Sequence, residues 1–586
     1  MDIQKTNINT LWGFLIIEEL ARSGIRYFCI SPGSRSTPLT VSAALNKSIQ
    51  TIICYDERAA GFHALGYTRA TGKPAVLICT SGTAVANYYP AVIEAHQSAL
   101  PLIILSADRP PELRATAANQ TIDQVKMFGT YLNWQFDLPC PDEKIPVANL
   151  LSLIDQAIYR TSRSPAGPVQ INCMFREPLE PTPGNISDAY ITYSYKRQNN
   201  DHPFTAYHHP HKGPAEADLT GLAETLTAYE KGLLVIGRLS VLQSYQHILE
   251  LIGTLNWPII VDITSGLRAS IPDHIKINYC DHLLLSESFQ QDIKPDFVLH
   301  LGGPLTSKRY ANFINTLALE KYVQVENNPY RQDPQNVVTE RFECEINEFC
   351  RRLNTVVQSR PDQSRVKRLK QYDDQAGQML ESFLDSQSAV SEIAVAHIIS
   401  RTIPSVHGLF LANSMPIRDM DMYASFQSNP VSIAANRGAS GIDGNLASAC
   451  GYAAGLNQPV TTVIGDLAFL HDLNSLELIR KLKVPVLIVV VNNHGGGIFS
   501  FLPIANFPQV FEPYFATPHD LSFKPAAEMF KIDYYKPASN EQFRLIYQEC
   551  LKSGKSAIIE IITSREINLE VHQKLQKEFR ELKIQS

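Results

Sequence analysis

The sequence predicts an α/β protein with three doubly wound parallel-sheet domains. Its 586 residues are too many for one hydrophobic core, so we expect several domains. Short apolar segments alternate with segments of helical spacing in each third of the chain, and this alternation is typical of parallel sheets with crossover helices. Apolar runs such as 486–491 contain no polar residue, as expected of strands that helices cover on both faces.

The first third contains four predicted strands, each followed by a turn or a helix. A turn over residues 31–38 leads into a helix at 39–45. The Ala- and Gly-rich segment Glu57–Thr71 and the segment 82–99 have helical spacing. The four strands are predicted at 26–30, 51–55, 75–80 and 102–107.

Two segments of different composition separate the predicted domains. Residues 181–214 are rich in Pro, Asn, Asp, His and Tyr with little periodicity, which predicts a surface linker. Residues 360–378 are charged and helical, which predicts a second linker. We therefore expect domains at residues 1–182, 183–365 and 366–586.

The middle and last regions repeat the alternation of strand and helix. A helix of small residues at 444–456 has the composition to pack closely on a sheet. The middle strands are predicted at 233–237, 259–263, Phe297–Leu301 and 323–326, and the last at 408–413, 431–434, 460–464, 486–491 and Ala557–Ile562.

Composition and charge exclude several classes of protein. The net charge of −6 argues against a nucleic-acid partner. The N-terminus lacks a signal-peptide pattern, and no apolar run predicts a membrane span. The ten cysteines are scattered without CxxC pairs. Free buried thiols in a reducing cytoplasm explain them, so we expect a cytoplasmic protein.

The most informative motif is Gly465-Asp466-Leu467 followed by Asn492-Asn493-His494-Gly495. Each piece follows a predicted strand, and open α/β sheets bind ligands at the carboxyl ends of their strands. The Asp466 carboxylate, the Asn493 amide and a carbonyl near Gly495 are hard oxygen ligands of the kind that Mg²⁺ shares with phosphates. The alternative is two ordinary turns rich in Asp, Asn and Gly. The helix and apolar strand between the pieces favour a site for magnesium and a diphosphate.

Other candidate residues have alternative explanations. Glu57 begins a predicted helix, where a carboxylate suits the helix dipole, or it is a buried acid that touches a cofactor ring. The turn Thr80-Ser81-Gly82-Thr83 offers amides for an anion or hydroxyls that cap a helix. A dinucleotide-dependent oxidoreductase is an alternative class, but it requires a GxGxxG turn and the sequence contains none in that context.

Six basic residues lie in loops rich in Gly, Ser, Pro and Asn at predicted sheet ends. A single solvated cation would need no explanation, but six of them in all three regions suggest one anionic cleft. Arg suits such a cleft because its planar fork binds carboxylates through two hydrogen bonds. The six residues are Arg35, Arg109, Lys308, Arg309, Arg418 and Arg437.

These motifs resemble those of the thiamin-diphosphate-dependent decarboxylases and synthases. Within that superfamily the resemblance is strongest to the carboligases of menaquinone biosynthesis. The metal motif marks the superfamily, whereas SPGSRS, ADRPPEL and NRGASGIDG are more specific to the carboligases. The matching stretches run in order through the chain at residues 31–39, 56–74, 80–95, 106–114, 119–124, 307–309, 413–419, 436–444 and 492–503.

The resemblance implies a pyrimidine-binding, a central and a diphosphate-binding domain. It also implies thiamin diphosphate with Mg²⁺ or Mn²⁺ at the interface of a homodimer, or of a dimer of dimers. Glu57 matches the glutamate that contacts the aminopyrimidine, and Ile442 matches the apolar residue that supports the bent cofactor. The metal ligands would be Asp466, Asn493 and Gly495, with Gly465, Ser414, Ile498 and Phe499 also at the cofactor.

The same resemblance implies 2-oxoglutarate and isochorismate as substrates. Each carries two carboxylates, which explains the basic loops, although the sequence does not assign residues to substrates. Arg35, Arg418 and Arg437 would also act in catalysis. Another thiamin-diphosphate enzyme that acts on small substrates, such as acetohydroxyacid synthase or a simple 2-oxoacid decarboxylase, remains the nearest alternative. The sequence departs from the wider superfamily at two positions. Leu467 stands where the metal motif usually has a glycine. His494, between Asn493 and Gly495, is either a base in the site or a solvent-facing residue. The remaining substrate residues would be Ser34, Arg109, Asn119, Gln120, Lys308, Arg309, Ser414, Phe499 and Leu502.

Overall fold

The computed structural model describes residues 6–198, 201–240, 245–360, 362–426 and 430–584. The expectations for the N-terminus and the first linker rest partly on residues 1–5 and 199–200, which lie outside the described residues. The chain forms two compact units. The first contains residues 1–210, 436–457 and 474–482, and the second contains residues 211–435, 458–473 and 483–586.

The first unit contains a six-stranded parallel sheet in the order β2-β1-β3-β4-β6-β5 within the described chain. Strands β3 and β4 are buried at every position. The strands are β1 Tyr27–Ile30, β2 Gln50–Ile53, β3 Ala75–Cys79, β4 Leu102–Asp108, β5 Trp134–Leu138 and β6 Pro168–Met174, and the helices are α1 Ile8–Arg22, α2 Thr37–Leu45, α3 Glu57–Thr71, α4 Thr83–Ala86, α5 Tyr89–Gln97, α6 Val147–Ser162 and α7 Asp188–Gln198.

The second unit contains a second parallel sheet, in the order β12-β11-β10-β7-β8-β9 over the residues that the structure covers. Its strands are β7 Gly232–Ile236, β8 Ile259–Val261, β9 Lys276–Ile277, β10 Phe297–Leu301, β11 Lys321–Glu326 and β12 Glu340–Glu343, and its helices are α8 Glu216–Ala228, α9 Gln246–Leu255, α10 Cys280–Leu283, α11 Glu287–Ile293, α12 Lys308–Asn315 and α13 Ile346–Val356.

A third parallel sheet, also in the second unit, has the order β14-β13-β15-β16-β18-β17 among described strands. One apolar core joins a face of the second sheet to this one. The strands are β13 Gly408–Leu411, β14 Ile433–Ala435, β15 Val460–Gly465, β16 Val486–Asn492, β17 Asp533–Tyr535 and β18 Ala557–Ile562.

The last third of the chain also supplies ten helices over its described residues. Two of them, α17 and α19, belong to the first unit. The helices are α14 Ser364–Asp385, α15 Glu392–Thr402, α16 Met415–Tyr423, α17 Asn445–Leu456, α18 Asp466–His471, α19 Leu476–Lys481, α20 Pro508–Phe511, α21 Lys524–Phe530, α22 Asn540–Ser553 and α23 Arg565–Glu581.

The predicted fold class of three parallel-sheet domains is confirmed, and several elements differ in detail. The linker at 181–214 contains helix α7, which was not predicted because its polar, Tyr-rich sequence shows no clear helical periodicity of apolar residues. The helix predicted at 82–99 is two helices, with Pro90 near the start of the second, where a missing N–H costs nothing. Strands β5, β6, β9, β12 and β17 were not predicted, since short or mixed segments carry weak periodicity.

The helix of small residues, α17, packs against α3 within the first unit. Backbone approach is close because three positions lack a side chain. An added Cβ would lie 2.0 Å from the Ser448 oxygen at Gly66, 1.8 Å from the His63 oxygen at Gly451 and 2.9 Å from the Tyr67 oxygen at Gly455. The sequence predicts that this helix packs closely on a sheet, whereas the close contact in the structure is with another helix, α3.

Two further expectations concern thiols and membranes. Each of the ten cysteines is buried with a free thiol, as predicted. Among the described residues, no helix is both long and apolar enough to cross a bilayer.

Candidate cofactor and metal site

The carboxyl ends of β15 and β16 bring the two parts of the oxygen-rich motif together. The strands pair in parallel with Gly465 opposite Val491, so the residues that follow each strand lie at the same edge. Asp466 begins α18, and its Oδ2 accepts a 2.9 Å hydrogen bond from the Gly495 amide. Its Oδ1 accepts another from the Leu467 amide at 2.6 Å. A single buried carboxylate therefore joins both loops.

Asn493 supplies a second oxygen at this edge. Its Nδ2 donates a 3.0 Å hydrogen bond to Glu392, whereas its Oδ1 is buried without a hydrogen-bond partner among the described residues. The side chain is only 8% exposed, and a buried amide oxygen without a partner is costly unless a ligand satisfies it. Over the described ranges, His, Cys, Asp and Glu form no cluster that could hold a metal alone. The Asp466 carboxylate and the Asn493 amide oxygen at this edge are hard oxygen donors of the kind that Mg²⁺ prefers.

Three consecutive glycines are required by the packing of the loop after β16. An added Cβ would lie 2.2 Å from the Ala516 oxygen at Gly495, 2.5 Å from the Phe515 oxygen at Gly496 and 2.5 Å from Asn493 Nδ2 at Gly497. A larger residue would therefore meet backbone oxygens at Gly495 and Gly496 and the Asn493 side chain at Gly497. The loop then enters a 3-10 helix at Gly497–Phe501.

Burial controls the charge of the acids at this edge. Burial raises the pKa of Asp466, and the amides of Gly495 and Leu467 oppose that shift. Burial also raises the pKa of Glu392 to about 6, with the nearby Asp466 charge adding to the effect. His519 Nε2 lies 3.3 Å from Asp466 Oδ2. A divalent cation here would offset the cost of two buried carboxylates.

The other predicted cofactor residues of the second unit lie on neighbouring loops. Ser414 precedes α16 with φ of +74°, a conformation that costs about 1–3 kcal/mol for a residue with a side chain and is concentrated at functional sites. Its carbonyl accepts a hydrogen bond from Arg418. Ile498 and Phe499 follow the glycine loop, and the Phe499 ring packs edge-to-face on Phe515.

The remaining predicted substrate residues of the second unit lie after the 3-10 helix and at the start of α12. Leu502, directly after the 3-10 helix, is 44% exposed. Lys308 and Arg309 begin α12. Arg309 forms an ion pair with Asp281, whose other oxygen accepts a 2.6 Å hydrogen bond from Ser307. Asp281 therefore holds the start of α12 in place through both of its carboxylate oxygens.

Glu57, in the first unit, occupies the first position of α3. Asp56 caps this helix by accepting a 2.8 Å hydrogen bond from the Arg58 amide. Burial raises the pKa of Glu57, a backbone hydrogen bond opposes the shift, and the Asp56 charge adds to it. A half-buried acid with a raised pKa is suited to exchanging a proton with a ligand.

A cluster of polar loops lies at the carboxyl ends of β1, β3 and β4 in the first unit. The Arg35 amide donates to Thr80 Oγ1 at 3.3 Å, so the loop that carries Ser34 packs on the turn at 80–83. Arg109 directly follows β4. The Nε atoms of Arg35 and Arg109 are both buried without a hydrogen-bond partner among the described residues. Cationic donors in this state suit a carboxylate ligand.

Arg35 is nevertheless largely buried and has partners of its own. Its Nη1 donates to the Phe175 carbonyl at 2.9 Å, and its Nη2 lies 3.6 Å from Glu177. Asn119 and Gln120 lie on the exposed loop beside this cluster, where Gln120 approaches Gly82. Gln120 also has φ of +52°.

The loop that carries Arg437 and Ile442 is held by a buried acid, Glu94 on α5. The two oxygens of Glu94 accept hydrogen bonds from the amides of Gly438 at 2.8 Å and Ala439 at 2.6 Å. Arg69 also bonds to this carboxylate, at 3.2 Å. Ile442 is 42% exposed at the far end of the loop. The loop and α5 line a cavity of about 190 Å³.

The six predicted cations are divided equally between the units. Arg35, Arg109 and Arg437 belong to the first, and the other three belong to the second. Sequence reasoning missed Glu392, Glu94 and His519. Each of them contacts a site residue or loop that is far away in the chain. The only local signal is the Ser391 cap before Glu392, which marks a helix start and nothing more.

Comparison with known protein families defines the class. The N-terminal TPP binding domain of thiamine pyrophosphate enzymes matches residues 12–127, the middle domain matches 195–411, and the C-terminal TPP binding domain matches 419–561. A solved structure from Mycobacterium smegmatis, described as a thiamin diphosphate-dependent enzyme, superposes with a TM-score of 0.71 over 96% of this chain and 100% of that chain. At 16% identity this likeness concerns the fold alone. The chain is a thiamin-diphosphate-dependent enzyme.

Relatives of known name narrow the assignment. The chain is 47% identical to the 2-succinyl-5-enolpyruvyl-6-hydroxy-3-cyclohexene-1-carboxylate synthase of Chlorobium phaeobacteroides, over 98% of each chain. It is 44% identical to the synthase of the same name from Rubrobacter xylanophilus, over 97% of this chain and 98% of the relative. The chain belongs to this synthase family.

Proposed function

We propose that the protein is the carboligase that produces 2-succinyl-5-enolpyruvyl-6-hydroxy-3-cyclohexene-1-carboxylate in menaquinone biosynthesis. 2-Oxoglutarate loses CO₂, and its remaining four-carbon unit adds to the ring alkene of isochorismate with uptake of one proton. Thiamin diphosphate supplies the carbon nucleophile and the electron sink for the decarboxylation. The observation that carries the proposal is the Asn493 oxygen, which has no hydrogen-bond partner in the part of the chain that the structure describes and lies on the same sheet edge as Asp466. The chain is also similar to such synthases over nearly its full length.

The metal and cofactor contacts are assigned to residues at loop ends. Asp466, Asn493 and the Gly495 carbonyl would hold Mg²⁺ or Mn²⁺, since all three offer hard oxygen ligands. The raised pKa of Glu57 supports a role in exchanging a proton with the pyrimidine ring. Ile442 would support the cofactor through apolar contact.

The substrate contacts follow from charge and polarity. Two dicarboxylates require several cations. The buried Nε atoms of Arg35 and Arg109, which have no hydrogen-bond partner within the described ranges, support this assignment. Apolar residues 498, 499 and 502 would exclude water from the reacting carbon. The remaining substrate contacts would come from Ser34, Asn119, Gln120, Lys308, Arg309, Ser414, Arg418 and Arg437.

The proposal extends to assembly and compartment. We propose a homodimer or a dimer of dimers in the cytoplasm, with a pyrimidine-binding domain at residues 1–182, a central domain at 183–365 and a diphosphate-binding domain at 366–586. Light scattering of the purified protein with and without thiamin diphosphate measures the assembly.

The experiment that tests the proposed reaction supplies 2-oxoglutarate with thiamin diphosphate and Mg²⁺, with and without isochorismate. We expect CO₂ release to depend on isochorismate and to match the amount of product detected by mass spectrometry. Rapid release of succinic semialdehyde without isochorismate would instead identify a simple decarboxylase.

A further inference from the structure

The orientation of the Asn493 amide decides whether an oxygen is available to a cation. The amide has an acceptor end and a donor end, and a metal ion can bind only the acceptor. Nδ2 donates to Glu392 Oε1 at 3.0 Å, and Oδ1 remains buried and unpartnered among the described residues. Reversing the amide would place two N–H groups where the oxygen now lies, and the site would lose a ligand.

Glu392 selects this orientation by its chemistry. A carboxylate accepts hydrogen bonds and donates none, so only the nitrogen end of Asn493 can face it. Glu392 is 3% exposed at the first position of α15. The same Oε1 atom also accepts a 3.0 Å hydrogen bond from Thr563 Oγ1, directly after β18. Two donors from different strand ends therefore hold one buried oxygen in place.

We infer that Glu392 is a positioning residue, which orients the Asn493 amide so that its oxygen binds the divalent cation of the cofactor site. Glu392 touches neither cofactor nor substrate in this inference, and it lies 101 residues away from Asn493 in the chain. The inference rests on the proposed function, because it requires a cation at this edge. Partners behind a metal ligand typically change metal affinity by about 10–100-fold when they are removed.

The test measures Mn²⁺ binding to the full-length protein at saturating thiamin diphosphate, by the electron paramagnetic resonance signal of free Mn²⁺. Glu392→Leu removes the acceptor at similar volume, and we expect the Mn²⁺ dissociation constant to rise by about 10–100-fold. Glu392→Gln keeps a carbonyl oxygen for the same two donors, so we expect a change of no more than about threefold. Rescue by Gln separates orientation of the amide from the charge of the acid.

Thr563→Val is the matched control, because it removes the other donor to the same oxygen at nearly constant volume. We expect it to change Mn²⁺ affinity by less than about threefold, since the bond between Glu392 and Asn493 remains. An equal loss of Mn²⁺ affinity in Thr563→Val and Glu392→Leu would overturn the inference, because it would indicate general disruption of the pocket.

Glu392→Asp keeps the test decisive if Glu392→Leu fails to fold. The shorter side chain retains the charge and the helix position but withdraws the acceptor, so Mn²⁺ binding should still weaken. Wild-type Mn²⁺ affinity in either the Asp or the Leu variant would overturn the inference while leaving the proposed function intact. Failure of the wild-type protein to bind Mn²⁺ with thiamin diphosphate would overturn both.

Discussion

Replacing Gly451 by Ala tests the close contact between α3 and α17. An ideal Cβ at this position would lie 1.8 Å from the His63 carbonyl oxygen and 2.7 Å from its carbon. A carbon–oxygen contact requires about 3.3 Å, so the two helices must separate by roughly 1.5 Å. Backbone atoms form the obstacle, and rotation of a side chain cannot relieve the overlap.

We expect Gly451→Ala to lower the free energy of unfolding by about 2 kcal/mol. Because backbone must move, the overpacking cost should lie near the upper end of its usual range, at about 3 kcal/mol, and the better helix propensity of Ala returns at most about 1 kcal/mol. The corresponding fall in Tm is roughly 4–8 °C. Scanning calorimetry measures Tm, and hydrogen exchange of peptides from α3 identifies the transition that contains this pair.

Gly221→Ala is the matched control for this prediction. Gly221 also lies inside a helix, α8, but an added Cβ there would meet no atom within 4 Å. The same substitution should therefore stabilise the protein by about 0.5–1 kcal/mol through helix propensity alone. An unchanged or higher Tm for Gly451→Ala, with unchanged exchange in α3, would refute the packing argument.

Four further predictions concern the site and the pH dependence of stability. Glu57→Gln should keep thiamin diphosphate binding in calorimetry but reduce turnover by about 10²–10⁴-fold, since its proton is needed in catalysis; near-normal turnover would remove Glu57 from the mechanism. Asp466→Ala should weaken Mg²⁺ and cofactor binding together in calorimetry by more than about 100-fold, and a loss of turnover at unchanged Mg²⁺ affinity would contradict its assignment as a ligand. Glu94→Gln removes a hydrogen-bond acceptor from the loop at residues 436–444 at a cost of about 2 kcal/mol, so hydrogen exchange in that loop should be roughly 30-fold faster. Unchanged exchange would mean that other contacts hold the loop. Burial lowers the pKa of His300 from 6.5 to about 4. As the pH falls, the unfolded chain therefore binds a proton at this histidine before the folded protein does, so the free energy of unfolding in urea titrations should fall from pH 6.5 to pH 4. His300→Gln should make that fall smaller.

The elements that position the site were readable from local pattern. The apolar run before Asn492 has the composition of a buried strand, and Asp466 follows another such run, so both could be assigned to one sheet edge. The helix Glu57–Thr71 was predicted with the bounds observed. Short strands such as Lys276–Ile277 could not be predicted, because two residues carry no periodicity.

Contacts within the site were not readable in the same way. Glu392 and Asn493 are 101 residues apart, and Glu94 and Gly438 are 344 residues apart. Each acid begins or lies on an ordinary helix, and its sequence neighbours carry no sign of its distant partner. Side-chain orientation depends on which oxygen meets which amide after the strands and helices have packed.

The sequence by itself determined the three parallel sheets, the sheet edge at which Asp466 and Asn493 lie and the family, because periodicity and short motifs are properties of neighbouring residues. Only the tertiary structure decided which way the Asn493 amide faces, which acid holds the loop at 436–444 and why α17 must contain glycine. Those features depend on the distance between atoms that the chain separates by tens to hundreds of residues, and that distance is set by packing.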